Sequence, residues 1–425
     1  MRQERNNIFA EIDWILILLY ILLVSFGWLN IYAASSNEET REVFNFSARY
    51  GKQLIWIALS LPIMIFVLFF NAKFYEKFSS LLYLISVIIL AGVLVFGKKI
   101  NGATSWYNFG GVGLQPSEFT KTFTALALAK LMSDRQYNLN LIKNQLKAFV
   151  IIFTPAFFIA LQPDMGSVLI YFSFFFVLNR EGLTLAYFII GALSIILFLL
   201  TIYFGIKWVL ITCLLFITFY TLYAVYKNKR FLRFNIFKVI FLYVFTSLFI
   251  VGIGYTYNNI LEQHQKDRFD ILLGKIKDNR GVGYNTYQSE LTISSGGLTG
   301  KGFLQGDRTQ GNFVPEQDTD YIFSTVSEEW GFLGSSFVII LFTLLLYRII
   351  FLAETHTNKF GRIYGYGIAS ILFFHVLVNI GMVIGILPTI GIPLPFFSYG
   401  GSSLWGFTLL LFIFIRLDAH KKYDW

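Results

Sequence analysis

Four polar clusters interrupt an apolar sequence, and each carries side chains able to exchange protons or hold an anion. In NGATSWYNFGGVGLQPSEFTK, residues 101–121, Glu118 and Lys121 stand three apart. A helix starting after Pro116 therefore puts them on one face. Such a pair is expensive near an apolar helix unless its members satisfy each other or serve a site, and spacing alone fits both roles. In LQPDMGS, Asp164 sits between Pro163 and Gly166. A carboxylate there caps the following helix by accepting its first amide protons, which leaves room for a second role toward a cavity. The longest cluster, 278–329, follows LEQHQKDRFDILLGKIK. Together they offer Asp267, Arg268, Asp270, Asp278 and Arg280, then Lys301, Asp307, Arg308, Glu316, Asp318 and Asp320.

Within that stretch GGLTGKG, 296–302, invites comparison with a nucleotide phosphate loop. The Walker spacing needs one more residue and a hydroxyl after the lysine, so the motif fails. A looser chemistry survives, in which glycine-rich backbone amides and Lys301 cradle phosphate oxygens. A long segment rich in glycine, charge and interleaved Tyr and Phe suits an ordered functional loop better than a linker. The fourth cluster, LPTIGIPLPFFSYGGSS at 387–403, is rich in proline and glycine and has no charge. Irregular backbone at membrane depth must be buried or line a cavity, because its amides need partners. His375 and Asn379, one helical turn apart, read as interhelical hydrogen-bond partners rather than metal ligands. His264, His356 and His420 show no ligand spacing.

The elements that position these residues are apolar helices. Of 425 residues, 56% are hydrophobic and only 14% charged, with a mean hydropathy of +0.62. The class is an all-α, polytopic transmembrane bundle of about 10–12 spans, with a large extracytoplasmic loop. Apolar stretches fall near 14–33, 53–70, 80–96, 118–132, 146–162, 167–179, 184–206, 207–226, 235–256, 321–350, 361–386 and 402–417. The first is long enough to be a retained helix rather than a signal peptide. The single cysteine, Cys213, allows no intramolecular disulfide and no thiolate cluster.

The net charge of +9 points to cytoplasmic loops and anionic lipid rather than to nucleic acid. Lys and Arg gather in alternate connections: Lys73 and Lys77; Arg135, Lys143 and Lys147; Arg180; Lys227, Lys229, Arg230 and Arg233; Arg348, Lys359 and Arg362. By the positive-inside rule both termini are cytoplasmic, and 34–52, 97–117, 163–166, 257–320 and 387–401 face outward.

LQPSEFTK, LQPDMGS, GVGYNTYQSELTISSGGLTGKG, FVPEQDTDYIFSTVSEEWGF and NIGMVIGILPTIGIPLPFFSYGGSS, in that order, resemble the SEDS family (shape, elongation, division and sporulation). The likeness spans most of the chain and is stronger to the elongation branch than to the division branch. It implies a single membrane domain over 1–425, with an extracytoplasmic catalytic loop at 257–320. Within 184–256 three apolar segments stand where the family has one, which implies a two-helix insertion.

The resemblance further implies a peptidoglycan glycosyltransferase of the bacterial inner membrane. Such an enzyme polymerises lipid II into a growing glycan strand, beside a class B penicillin-binding protein and other elongation-complex proteins. It carries the catalytic aspartate over to Asp278, before Gly281-Val282-Gly283-Tyr284. Asp278-Asn279-Arg280 stands where the family has Asp-Pro, and Asp270 is the nearest other carboxylate. Glu118, Lys121, Asp164 and Arg49 carry over as substrate-binding residues, and Lys301 joins them through the phosphate-cradle reading.

For that reaction the carboxylate takes the acceptor hydroxyl's proton as general base. The pyrophosphate leaving group needs positive charge rather than an acid. Mg2+ or Mn2+ would suit that need, although the sequence singles out no ligands for either. The other function consistent with buried ionisable residues is a flippase for the same lipid-linked precursor. A non-catalytic scaffold is a third.

Overall fold

The computed structural model describes residues 11–36, 44–100, 102–110, 112–276 and 281–420. The chain forms two compact units, one of residues 1–183 and 285–425 and one of Thr184–Tyr284.

The first unit begins with α1 (Trp14–Ser35), α2 (Arg49–Phe69) and α3 (Ala72–Phe96). A short antiparallel meander follows, β1 (Lys98–Ile100), β2 (Ala103–Phe109) and β3 (Val112–Leu114). Then come α4 (Pro116–Ser133), α5 (Ile142–Ala160), α6 (Met165–Tyr171) and α7 (Phe174–Arg180). The second unit holds α8 (Ala186–Phe204), α9 (Ile206–Lys227), α10 (Phe231–Tyr255) and the short α11 (Gln263–Leu272). After it come α12 (Tyr284–Ser295), one turn α13 (Asp307–Gln310), α14 (Ile322–Thr355), α15 (Lys359–Val383) and α16 (Gly401–His420).

Local sequence explains the helix starts. Asp13 accepts from the Leu16 amide at 2.9 Å and opens α1. Pro116, with no amide to satisfy, opens α4. Asn358 accepts from the Phe360 amide at 2.9 Å and opens α15.

Ten helices among the described residues are long and apolar enough to cross a membrane. Two of the twelve expected segments differ. The segment at 118–132 forms α4, whose Thr, Lys and Glu side chains are turned into the bundle. That at 167–179 breaks into the short helices α6 and α7. The all-α expectation also gains an exception, because alternating side chains in 103–109 and the turn at Gly110 (φ 58°) build the meander. The expected loop 257–320 is not one body: 257–284 belongs to the second unit and 285–320 to the first.

In the first unit α16 is among the most enclosed helices, with most of its side chains buried, whereas α8 and α9 in the second are largely exposed. Their exposed Phe, Leu and Ile side chains suit a hydrocarbon solvent, where apolar exposure carries no penalty.

The basic ends of the first unit converge. Arg348 pairs with Asp13, Arg180 with Glu354, Arg362 with Glu181 and Lys130 with Glu76, while Arg416 donates to the Phe70 carbonyl. The starts of α2, α4, α6 and α16 lie at the opposite end, which is where the polar clusters meet.

One helix there is broken and repaired. At Gly331 of α14 the backbone turns to φ 65°, ψ −160°. The 296–302 segment docks into the break. The Lys301 and Gly302 amides donate to the Glu328 and Glu329 carbonyls at 3.0 and 2.9 Å, and the Phe332 and Leu333 amides donate to the Gly297 and Leu298 carbonyls at 2.9 and 3.1 Å. Each side of the break thereby gains two partners for its orphaned backbone groups. The approach leaves no room for a side chain, since a Cβ on Gly300 would lie 2.1 Å from the Glu329 carbonyl oxygen at φ +81°. Gly300→Ala is expected to cost about 1–3 kcal/mol, read as a lowered Tm in detergent. An unchanged Tm would show that the splice tolerates displacement.

Candidate active site

Glu118 and Lys121 occupy the first two turns of α4 and both are buried. Lys121 Nζ lies 2.9 Å from Glu118 Oε2, 2.9 Å from His375 Nε2 and 4.5 Å from the centre of the Phe407 ring. The ammonium is thus met from three sides. The two form the ion pair that the spacing suggested, although Glu118 Oε2 is buried without a hydrogen bond of good geometry, and the lysine also meets a histidine that the spacing did not connect to it.

Asp164 caps α6, accepting from the Ser167 amide at 3.1 Å and from the Ser167 hydroxyl at 2.8 Å. It accepts as well from Gln115 Nε2 at 3.0 Å. Gln115, absent from the sequence-based candidates, ties the start of α4 to the start of α6. Its own amide donates to Ser402 Oγ at 3.1 Å, so α16 is fixed at the same point.

Arg49, at the start of α2, donates from Nη1 to Asp318 Oδ1 and Oδ2 at 2.6 and 2.9 Å. Its side chain is half exposed whereas that of Asp318 is buried. Burial pushes the Asp318 carboxyl above the ordinary carboxylate range in spite of the arginine. Asn379 holds this segment by donating to the Asp320 and Ile392 carbonyls, each at 2.7 Å. His375 makes the interhelical contact that the sequence suggested, whereas Asn379 holds two irregular segments instead of another helix.

Asp320 is part-buried. Burial first, and then the neighbouring Glu316, Asp164 and Asp318 carboxylates, raise it from 3.8 to about 7. Because ionisation is disfavoured in the folded protein, its contribution to stability is full below 3.8 and is lost as pH climbs to about 7. Thermal melts from about pH 5 to pH 7 should show wild type losing Tm, while Asp320→Asn, neutral throughout, loses less. Parallel curves would contradict this assignment.

Lys301 Nζ is 2.7 Å from Glu328 Oε1 and 3.1 Å from Asp307 Oδ2. Glu328, fully buried, also accepts from the Arg308 amide at 3.1 Å and the Thr309 amide at 2.8 Å. With the Lys301 and Gly302 amides used in the helix splice, the glycine-rich motif serves the backbone of α14 in this structure.

Asp278 lies outside the described residues. In the second unit Asp270, the nearest other carboxylate, accepts from the Tyr257 hydroxyl at 2.7 Å and lies 3.8 Å from Lys275 Nζ. Among the described residues no group of three or more His, Cys, Asp or Glu could hold a metal ion. The described residues thus single out no ligand set for Mg2+ or Mn2+.

Residues 13–238 and 232–423 match the family described as cell cycle proteins, FtsW/RodA/SpoVE. The chain is 31% identical to the peptidoglycan glycosyltransferase MrdB of Escherichia coli K12, covering 97% of this chain and 95% of that one. It is 30% identical to the peptidoglycan glycosyltransferase RodA of Treponema pallidum, covering 97% and 98%. Among solved structures it matches a chain from work on the coordination of polymerization and crosslinking by a peptidoglycan synthase complex. That match has a TM-score of 0.71 and 26% identity over 97% and 99% of the two chains. The Thermus thermophilus rod shape determining protein RodA shares the fold, with a TM-score of 0.63 at 24% identity over 97% and 98%.

Proposed function

The chain belongs to the FtsW/RodA/SpoVE family and is a peptidoglycan glycosyltransferase, and we propose that it joins lipid II units into glycan strands during elongation of the cell. It is a multi-pass bacterial membrane protein. The observation that carries the reading is the near full-length match, at 31% identity, to a relative named for this activity.

Chain growth needs a sugar hydroxyl to attack an anomeric carbon while undecaprenyl pyrophosphate leaves. A single displacement inverts that centre. Asp278 takes the hydroxyl proton as general base. The leaving group departs as an anion and needs positive charge in a low-dielectric setting. Arg49 suits this role best, since it is half exposed and its described contacts, to Asp318 and at 3.7 Å to Glu316, are all made by Nη1. Lys121, enclosed by Glu118, His375 and Phe407, serves the site as a buried charge, with Glu118 as its counter-ion and Asp164 capping the start of α6. Lys301 contributes by keeping α14 spliced.

The gathering of Arg348, Arg180, Arg362 and Lys130 at one end supports a cytoplasmic position for that end and for both termini. The polar clusters then face outward, where a class B penicillin-binding protein crosslinks the product.

The test is polymerisation of purified lipid II by the full-length protein with its partner, with strands resolved on a gel. Labelled strands are the expected result. Translocation of lipid II across vesicles without any polymer would overturn the reading in favour of a flippase.

A further inference from the structure

His375 is 2% exposed, and both of its ring nitrogens face a group with a single possible hydrogen-bonding role. An ammonium only donates, so the Nε2 that lies 2.9 Å from Lys121 Nζ must accept. The ring proton then sits on Nδ1, which faces the Pro393 carbonyl oxygen at 3.3 Å. A carbonyl only accepts, so the two contacts demand the same tautomer. Phe407 fixes the ring plane, meeting it edge-on at 4.8 Å and 87° while lying beneath Lys121.

Pro393 is the middle of three consecutive residues held in this way. Asn379 donates to the Ile392 carbonyl at 2.7 Å, and the Leu394 amide donates to Ser398 Oγ at 2.8 Å. The same segment backs the acidic one, since the Tyr399 amide donates to the Asp318 carbonyl at 2.9 Å and Ser398 Oγ donates to the Thr319 carbonyl at 2.7 Å. The imidazole therefore stands between the Glu118–Lys121 pair and the 392–399 segment that supports the partner of Arg49.

We propose that His375 is a positioning residue, whose Nε2 holds the Lys121 ammonium against Glu118 and whose Nδ1–H holds the Pro393 carbonyl, so that the buried charge pair and the 392–399 segment are set as one unit. It rests on the polymerase reading for its effect on rate, and on the geometry alone for its tautomer. An imidazole kept only to fill space would be replaced best by a ring of similar volume. A positioning imidazole is replaced best by a side chain that still accepts from Lys121, however poorly it fills the space.

Two measurements on the full-length protein in nanodiscs test this. In lipid II polymerisation, His375→Phe should lower kcat roughly 10- to 100-fold, whereas His375→Gln, whose amide oxygen can accept from Lys121, should recover most of that loss. KM should change little in either. Phe activity equal to wild type, or above that of Gln, overturns the proposal. In 15N spectra of histidine-labelled protein, the signal lost in His375→Gln should report a neutral ring protonated at Nδ1, and Lys121→Met should shift it. A ring protonated at Nε2, or a signal indifferent to Lys121→Met, overturns the proposal without involving catalysis. If the wild type makes no glycan, the polymerase reading fails by itself and the spectra alone decide the role of His375.

Discussion

Asp278→Ala in the full-length protein is expected to reduce lipid II polymerisation by about 10²- to 10⁴-fold, the usual contribution of a general base. The argument is chemical. A sugar hydroxyl is a poor nucleophile until its proton has somewhere to go, and the leaving pyrophosphate, already anionic, is too weak a base to take it. Of the carboxylates near the GVGY motif, Asp270 is engaged by Tyr257 and Lys275, which suits a structural role. Asp270→Asn should therefore lose far less activity than Asp278→Ala. Tm and partner binding should be unchanged in Asp278→Ala, because a base is needed for the reaction and not for the fold. Normal polymerisation by that variant would remove Asp278 from the mechanism.

The second large effect is expected at Lys121. Lys121→Met leaves Glu118 buried without its cation, and breaking a buried pair from one side typically costs about 3–5 kcal/mol. The double variant Glu118→Gln with Lys121→Met removes both charges and should be more stable than Lys121→Met alone. Such non-additivity is the signature of a coupled pair. Melting of the two single variants and the double variant checks it, and strict additivity would falsify the coupling. The His375 contact sharpens the expectation, since Lys121→Met also leaves an imidazole nitrogen with no donor.

Much of this site was legible in the chain before any fold was known, and for physical reasons. Apolar runs mark the membrane helices because a bilayer admits little else. Glu118 and Lys121 stand three apart on a helix opened by proline, so their pairing follows from helical geometry. Asp164 between proline and glycine reads as a cap, and it is one. What the chain concealed are contacts between segments far apart in sequence. Nothing in LFFHVLVN shows that His375 meets Lys121. Gly331 in SEEWGFLG looks like one more residue of an apolar span, although it is the point where α14 breaks. GGLTGKG suggested phosphate, because glycine-rich backbone amides suit an anion as well as they suit a helix end. Only their partners tell the two apart, and those partners are the Glu328 and Glu329 carbonyls.

The mended break in α14 also bears on the order in which the protein takes shape. The splint at 296–302 is synthesised before the helix it repairs, and only about thirty residues separate them, so closing the loop carries a modest entropy cost that grows slowly with length. The hydrogen bonds of the splice all lie within 297–333, so none of them calls on α15 or α16. A nascent chain released just after α14 should already protect the Phe332 and Leu333 amides from hydrogen exchange. The inner wall of the site would then be built before the last helix arrives to enclose it.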